Sequence, residues 1–303
     1  MSKKPLGIGI DGCRAGWLVV LFDGNEAQMY LLPQIEAIEQ LQLPSLPIWI
    51  DMPIGFMTDG PEGRLCDKAA RQFLRPHRTS SVFTPPCRAA VYASKEEASA
   101  VNFAHTGKKL SQQSINIIPK MREVDTYLQA LDSVIALNWF EAHPEVVFAA
   151  LNQGHALEHK KKTAAGEEQR LNLLQPFFPT VQDWIGTARQ QHLRKDVLPD
   201  DIVDALGLAV ASFLTQTMEK SKAQSSPSPY PLMSSRFRSV LFWSILAAAF
   251  IGPGTVTTAA RAGSAYGLGL LWALLFSILA TVVLQEAAAR ITLGAGQPLG
   301  EII

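Results

Sequence analysis

The sequence predicts an α/β domain with a mixed sheet and flanking helices, followed by a Ser/Pro linker and two transmembrane helices. Three observations lead to this prediction. Short apolar segments alternate with amphipathic segments over residues 1–220. Ser and Pro dominate residues 221–236, which is typical of an extended linker. Residues 237–303 are strongly apolar and carry few charged side chains.

Three strands open the predicted domain. The apolar segments 6–11, 16–22 and 27–33 have the length of strands, and the Asp-Gly-Asn sequence at 23–25 is typical of a hairpin turn. A short connection at 12–15 joins the first two strands in the same way. We therefore expect an antiparallel three-stranded meander.

Further strands and helices follow the meander. Two more strands are predicted, at 47–53 and towards the end of 133–144. Apolar residues at helical spacing predict helices at 34–42, 64–74, 122–131, 144–151, 166–174, 180–194 and 198–220. Three antiparallel strands, a helix, a strand, helices, a strand and a final helix is the element order of the RNase H fold. We therefore expect an RNase H-like mixed sheet.

Composition limits the possible classes of function. The chain has 27 basic and 27 acidic residues, so it lacks a global positive field, and any nucleic-acid binding must depend on a local patch. Its three cysteines form no CxxC pair, which argues against a structural zinc site and indicates a reduced cytoplasmic setting. The first residues lack the apolar segment of a signal peptide.

Five carboxylates form the candidate catalytic set. Asp11, Asp51 and Glu141 lie at the ends of short apolar segments, while Asp201 and Asp204 share one face of the final helix. Two Mg²⁺ ions about 4 Å apart can polarise a phosphodiester and activate water, and they need such hard oxygen ligands. We expect Mg²⁺ or Mn²⁺ to bind Asp11, Asp51, Glu141 and Asp204. Each acid taken alone could instead be a turn, edge or helix-capping residue.

Basic and hydroxyl side chains form a candidate substrate surface. Arg78, Ser80, Ser81 and Arg88 lie in the insert after the fourth strand, and guanidinium and hydroxyl groups suit phosphate oxygens. Lys161 and Lys162 could likewise hold a nucleic-acid backbone. The alternative for both groups is a solvated surface with ion pairs.

Residues 6–218 resemble a known family. The resemblance is carried by IDGCRAGW (10–17), WIDMPIGF (49–56), RTSSVF with Pro86 and Arg88 (78–88), EAHPE (141–145), KKTAAGEEQR (161–170) and DDIVDAL (200–206). These motifs are similar to those of domain of unknown function 429, an uncharacterised bacterial family of predicted RNase H-fold nucleases. DDIVDALGLA is also similar to the final helix of Holliday-junction resolvases, in which an Asp-x-x-Asp-Ala-Leu run supplies metal ligands. The resemblance implies a metal-dependent nuclease.

The C-terminal segment has the character of a membrane protein. The apolar run 239–251 is interrupted by Gly-Pro-Gly-Thr at 252–255, and the charge-free run 268–284, within a helix of about 268–290, can span a bilayer. Basic residues precede the first run, so the positive-inside rule places residues 1–236 in the cytoplasm.

Residues 237–303 resemble the first two helices of Nramp-type divalent-metal transporters, which have a LeuT-like fold. The family's Asp-Pro-Gly-Asn motif is altered at Gly252 and Thr255, so both side-chain ligands differ. Such folds need about ten helices in inverted repeats, so we expect a truncated fusion, a split gene or a misjoined reading frame. Expected partners are nucleic acid, membrane lipid and the remaining part of a transporter. The alternative function is a transporter fragment with a non-catalytic soluble appendage; a non-catalytic binding module is a third.

Overall fold

The structure, a computed structural model, describes residues 6–136 and 138–223. Its five strands are β1 (Gly7–Cys13), β2 (Gly16–Phe22), β3 (Ala27–Leu32), β4 (Ile48–Ile50) and β5 (Trp139–Glu141). They form one sheet of order β3-β2-β1-β4-β5. β1 pairs with β2, and β2 with β3, in antiparallel orientation, whereas β4 is parallel to both β1 and β5. Residues 221–223 of the predicted linker belong to the final helix, so that boundary was wrong. The rest of the predicted linker and the predicted transmembrane helices lie outside the described residues.

Helices cover both faces of this sheet, which confirms the predicted mixed α/β architecture of the N-terminal region. In chain order they are α1 (Leu65–Phe73), α2 (Arg88–Tyr92), α3 (Ala98–Thr106), α4 (Gln112–Ala130), α5 (Ser133–Ala136), α6 (Pro144–Leu151), α7 (Ala164–Leu174), α8 (Val181–Gln191) and α9 (Pro199–Ala223). Short 3-10 helices cover Ile35–Leu41 and Thr79–Ser81.

Several predicted boundaries were wrong for local reasons. The segment predicted as a helix at 34–42 is a 3-10 helix. The helix predicted at 122–131 begins ten residues earlier, at Gln112, where Ser111 accepts a hydrogen bond from the Ser114 N–H group. The sequence does not predict the N-terminal half of this helix, because its first turns are polar and Pro119 is unfavourable within a helix. The predicted strand 47–53 ends at Ile50, three residues before Pro53.

Two apolar layers lie on the two faces of the sheet. On one face, Leu18 and Phe22 of β2 pack with Leu206 and Phe213 of α9 among a larger set of buried residues. On the other face, isoleucines of β1 and β4 pack against α4, in a cluster that includes Ile8, Ile10, Ile48, Ile50, Met121 and Val124. Both faces of the sheet are therefore covered. Helix α9 packs on the face that carries Leu18 and Phe22, and α4 packs on the opposite face.

Two glycines let α9 lie directly on β1. A Cβ atom built on Gly7 would be 1.9 Å from the Ala209 carbonyl oxygen, and one on Gly9 would be 2.2 Å from the Ala205 carbonyl oxygen. Moving two residues along β1, from Gly7 to Gly9, moves the contact four residues back along α9, from Ala209 to Ala205, and both distances are about 6 Å. Two residues further along β1, Asp11 therefore lies under the first turn of α9. The glycines of the Gly-x-Gly-x-Asp pattern thus let β1 approach α9 closely, and Asp11 lies on the same strand face, towards the helix that bears Asp204.

Replacing Gly9 with Ala is expected to lower the free energy of unfolding by at least about 1–3 kcal/mol. The new Cβ would meet backbone atoms, 2.2 Å from the Ala205 oxygen and 2.4 Å from the Ala209 nitrogen, so α9 must move. Gly186→Ala in α8 is the matched control, because a Cβ there has no heavy atom of the described chain within 4 Å. Urea unfolding measures both. Equal midpoints for the Gly9→Ala protein and the unmodified protein would disprove this close contact.

Candidate active site

Asp11 and Asp51 lie side by side at one edge of the sheet. Ile10 and Ile50 are register partners in the parallel β1–β4 pair, and the Asp51 N–H group donates to the Ile10 carbonyl oxygen at 2.9 Å. Each aspartate therefore follows a paired isoleucine directly. The Asp11 carboxylate also accepts the Gly12 N–H group at 2.7 Å, which fixes its orientation.

The N-terminal turns of α9 bring two more aspartates to this edge. Asp201 accepts the Leu198 N–H group at 2.9 Å, so this carboxylate helps to begin the helix. Asp204, almost one turn later, has a side chain that is only 1% exposed. Its Oδ2 atom lies 2.5 Å from Lys161 Nζ, while its buried Oδ1 atom has no hydrogen-bond partner among the described residues. Asp204 thus retains an unused acceptor.

The charges of these carboxylates oppose one another. Burial, followed by repulsion from Asp51 and Asp204, raises the pKa of Asp11 well above its usual value. Burial also raises the pKa of Asp51 to about 6, and Asp204 adds to this shift while His143 opposes it. The pKa of Asp204 is raised by burial too, against the attraction of Lys161. An excess of buried negative charge therefore lies at this edge.

Lys161 directly contacts the aspartates at the start of α9. Its ammonium nitrogen is 2.5 Å from Asp204 Oδ2 and 3.6 Å from Asp200 Oδ2. Within the described ranges, no three His, Cys, Asp or Glu side chains are arranged closely enough to hold a metal ion. The donor chemistry nevertheless fits a hard divalent cation, since carboxylate oxygens are available and Asp204 Oδ1 lacks a partner. The two-metal arrangement stays a prediction.

Glu141 lies beside the other acids but is bound differently. It is the register partner of Ile50, and strand alternation places its side chain on the sheet face opposite that of Asp11. Both of its carboxylate oxygens lie 2.7 Å from guanidinium nitrogens of Arg64, and one also accepts the Ile54 N–H group at 2.8 Å. Its charge still contributes to the raised pKa of Asp51. A direct metal-binding role for Glu141 stays a prediction.

The predicted substrate-binding arginines use their donors inside the protein. Arg78 is buried and donates to the carbonyl oxygens of Leu157, at 2.9 Å, and Glu158. Arg88 forms an ion pair with Asp125.

The other predicted substrate-binding residues lie in more open positions. Ser80 and Lys162 are exposed, while Ser81 is half-buried and its carbonyl oxygen lies 3.1 Å from His143 Nε2. A role in substrate binding for the predicted set stays a prediction.

The family of the chain follows from its longest match. A profile of the family described as "Protein of unknown function (DUF429)" matches residues 9–220, which is well over half of the chain. The chain belongs to the DUF429 family. Asp11, Asp51 and Asp204, as well as Lys161 and Glu141, fall within this DUF429 region.

A second profile matches the C-terminal residues. It is the one described as "Natural resistance-associated macrophage protein-like", over residues 244–303. Two curated proteins named divalent metal cation transporter MntH are similar to the chain. The one from Chromohalobacter salexigens is 42% identical over 59 residues, and the one from Bacillus subtilis is 40% identical over 58 residues. These alignments cover 20% and 19% of the DUF429 protein and 14% of each relative, so the chain spans a small part of either transporter.

No solved structure matches the DUF429 chain. In the part of the chain that the structure describes, no helix is both long enough and apolar enough to cross a membrane.

Buried charge pairs in the DUF429 domain were missed from the sequence. Arg64 begins the helix predicted at 64–74, yet its side chain binds Glu141, at 2.7 Å, and Asp67, at 2.6 Å. Arg170 of α7 binds Glu145 of α6 at 2.6 Å, and its side chain is 1% exposed. The sequence does hint that Arg170 is buried, because at helical spacing this arginine falls on the same face as leucines that are buried in α7.

Asp51→Asn in the DUF429 domain is expected to increase stability in a pH-dependent way. The folded-state pKa of Asp51, about 6, lies above its unfolded value, so the wild-type protein loses stability as pH rises from about 4 to 6. The variant avoids this loss, and its advantage should be near zero below pH 4 and reach at most about 3 kcal/mol above pH 6. Urea unfolding at several pH values tests this; a pH-independent difference would contradict it.

Proposed function

We propose that this DUF429 protein is a metal-dependent nuclease of RNase H-like fold that hydrolyses phosphodiester bonds. One observation carries the proposal: Asp11 of β1, Asp51 directly after the parallel neighbour β4, and Asp204 of the covering helix act on one another. Besides burial, Asp51 and Asp204 raise the pKa of Asp11, and Asp204 raises that of Asp51. A protein maintains such a repulsive arrangement at a cost in stability, which a bound cation would offset. The strand order, with two antiparallel pairs followed by two parallel pairs, supports an RNase H-like topology.

The proposed site would hold Mg²⁺ or Mn²⁺ between Asp11, Asp51 and Asp204. A bound ion supplies a Lewis acid for the phosphoryl oxygen and makes water more acidic. The protein's own contribution is positioning. The Gly12 N–H group orients Asp11, and Lys161 holds one oxygen of Asp204 so that the other remains available. Asp201 begins the helix that carries Asp204, through its bond to Leu198.

Arg64 performs a second positioning role on the other side of the sheet edge. Its guanidinium binds both oxygens of Glu141 and also the carboxylate of Asp67. This network fixes the end of β5 relative to the insert that begins at Arg64. Nucleic acid would then approach between the insert and the loop that carries Lys161 and Lys162, where exposed Ser80 and Lys162 can meet phosphate oxygens.

Cleavage of end-labelled nucleic acids tests the proposal. The purified full-length chain is incubated with single- and double-stranded DNA and RNA, with Mg²⁺ or Mn²⁺, and with EDTA as the metal-free control. We expect cleavage products that require the metal and disappear with EDTA. A folded chain that cleaves none of these substrates with either metal would reject the nuclease function.

A second candidate concerns the C-terminal region. Its similarity to two divalent metal cation transporters favours membrane association, with residues 1–236 in the cytoplasm and membrane lipid or the remaining part of a transporter as partners. The alternative function is then a transporter fragment whose DUF429 domain is not catalytic. Manganese uptake by vesicles containing the full-length chain, above that of empty vesicles, would favour this alternative.

A further inference from the structure

A cavity of about 280 Å³ lies between β4 and α4 in the chain, and none of the five candidate carboxylates lines it. Its walls come from three segments, at 57–64, 84–87 and 102–110. Small-molecule sites in proteins usually enclose about 300–1,000 Å³, so this cavity suits a ligand at the small end of that range, such as a single nucleotide.

Hydrogen bonds hold the three wall segments together. Buried Asn102 accepts the Cys87 N–H group at 2.8 Å, and its amide nitrogen donates to the Lys108 carbonyl oxygen, also at 2.8 Å. The Lys108 ammonium group donates in turn to the Pro61 carbonyl oxygen. The segment 102–110 is thus bonded to both other walls, and the cavity is formed before any ligand binds, which lowers the cost of binding.

Much of the cavity lining is apolar. The apolar lining residues are Met57, Pro61, Pro85, Pro86 and Leu110. A planar nucleobase can pack between apolar surfaces of this kind. A small ion such as inorganic phosphate gains nothing from them, because it would lose its hydration there. The walls therefore favour a ligand with one apolar, flat part.

The charged residues of the lining are all basic. Arg64, Lys108 and Lys109 line the cavity, and none of the described lining residues is acidic. The Arg64 guanidinium is already bound to Asp67 and Glu141. Lys109 is exposed and has no hydrogen-bond or ion-pair partner in the described part of the chain. Its ammonium group is therefore available to an anionic part of the ligand.

Two acids of the 57–64 segment are paired with other groups. Asp59 Oδ1 lies 2.5 Å from His105 Nδ1, and Glu62 Oε2 lies 3.7 Å from Lys68 Nζ. Neither acid lines the cavity. The charge of Lys109 is therefore not compensated within the lining.

Arg64 connects the cavity to the candidate active site. Besides lining the cavity, its guanidinium lies 2.7 Å from both carboxylate oxygens of Glu141, at the end of β5. β5 is the parallel neighbour of β4, and Asp51 follows β4 directly. Arg64 is thus a wall shared by the cavity and the sheet edge that carries the aspartates.

We infer that this cavity binds one nucleoside monophosphate unit, with its base between the apolar walls and its phosphate at the Lys109 ammonium group. The choice of ligand rests on the proposed nuclease function. The same chemistry describes one nucleotide of a substrate strand and a free nucleotide. In either case Lys109 binds the ligand and takes no part in cleavage.

Isothermal titration calorimetry in EDTA tests this inference without metal and without cleavage. The full-length chain is titrated with adenosine and cytidine monophosphates, with the two nucleosides and with inorganic phosphate. We expect the monophosphates to bind at least about 10-fold more tightly than the nucleosides or phosphate, because each of these lacks one of the two groups that the cavity contacts. Failure of both monophosphates to bind would overturn the inference.

Lys109→Met locates the phosphate, since the substitution removes the charge and keeps most of the side-chain length. It should weaken monophosphate binding at least about 10-fold and leave nucleoside binding unchanged. Lys95→Met is the matched control, because Lys95 is also an exposed lysine between β4 and α4 but does not line the cavity. It should bind the monophosphates as the wild type does. Equal affinities of the two variants would overturn the role of Lys109 and the inference with it.

Fluorescence anisotropy of a labelled single-stranded oligonucleotide, again in EDTA, identifies the source of the nucleotide. If the cavity holds a nucleotide of a strand, the monophosphates should displace the oligonucleotide, and Lys109→Met should lower the salt dependence of its binding by about one ion. Oligonucleotide binding that neither the monophosphates nor Lys109→Met changes would identify a free nucleotide as the ligand that calorimetry detects.

The outcomes separate this inference from the nuclease proposal. Monophosphate binding that depends on Lys109, without cleavage of any substrate, would reject the nuclease function and leave the nucleotide site in place. Metal-dependent cleavage by a chain that binds neither monophosphate would reject the nucleotide site alone.

Discussion

Asp11→Asn is expected to reduce magnesium-dependent cleavage at least about 100-fold while the domain stays folded. The substitution removes one negative charge from the proposed metal site and changes the side-chain volume little. The amide oxygen of Asn can still accept the Gly12 N–H group that Asp11 Oδ1 accepts at 2.7 Å. The neutral Asn side chain also avoids the cost of burying a charge and the repulsion from Asp51 and Asp204, so the free energy of unfolding should be unchanged or higher. Initial cleavage rates and urea unfolding are measured on the same preparation.

Asp183→Asn serves as the control for this substitution. Asp183 is an exposed aspartate in the first turn of α8, so its replacement tests the effect of losing one carboxylate outside the site. It should leave the cleavage rate unchanged. Equal cleavage by Asp11→Asn and wild-type protein would remove Asp11 from the catalytic set.

Arg170→Met is expected to lower the free energy of unfolding by about 3–5 kcal/mol. Arg170 and Glu145 are both almost fully buried and lie 2.6 Å apart, between α7 and α6. Removal of the guanidinium leaves the Glu145 carboxylate buried without its counter-ion. The guanidinium also lies 5.4 Å from the centre of the Phe148 ring, a contact that the variant loses. Urea unfolding followed by circular dichroism measures the change.

Two further variants distinguish a buried pair from a general effect of lost charge. Arg189→Met removes the partner of Glu167 in a pair whose side chains are each 32% exposed, and it should cost less than about 1 kcal/mol. Arg170→Met/Glu145→Gln should recover most of the loss, because it also removes the buried carboxylate charge that Arg170→Met leaves unpaired. A similar loss in the Arg189 and Arg170 variants would contradict this explanation.

The sheet could be predicted from the sequence because its signals are local. Apolar segments of strand length, bounded by Gly and Pro, placed the first three strands to within about two residues. The N-terminal half of α4 could not be predicted, because its polar first turns and Pro119 hide a helix that tertiary packing stabilises. The 3-10 helix at Ile35–Leu41 has the apolar spacing of an α-helix, and only its backbone hydrogen bonds distinguish the two.

The candidate site was partly predictable for a similar reason. Asp11 lies two residues before the end of β1, Asp51 follows β4 directly, and Asp204 lies in the second turn of α9. The first two positions can be read from the apolar segments that precede them. The contacts of Lys161 with Asp204 and of Arg64 with Glu141 join segments that are distant in sequence. No pattern within either segment identifies its partner. Arg78 is a further example. Its position in the sequence, beside two serines, suggests phosphate binding, but its guanidinium donates to the carbonyl oxygens of Leu157 and Glu158.

The contact between β1 and α9 also constrains how the domain can form during synthesis. β1 leaves the ribosome first, yet the helix that covers its glycines is the last element of the described domain. Until α9 is complete, the apolar face that includes Leu18 and Phe22 lacks the part of its cover that α9 supplies. Such a pairing of the two sequence ends gives a high contact order, which is associated with slow folding. A nascent chain that stalls before Pro199 therefore exposes this face and is a natural target for chaperones.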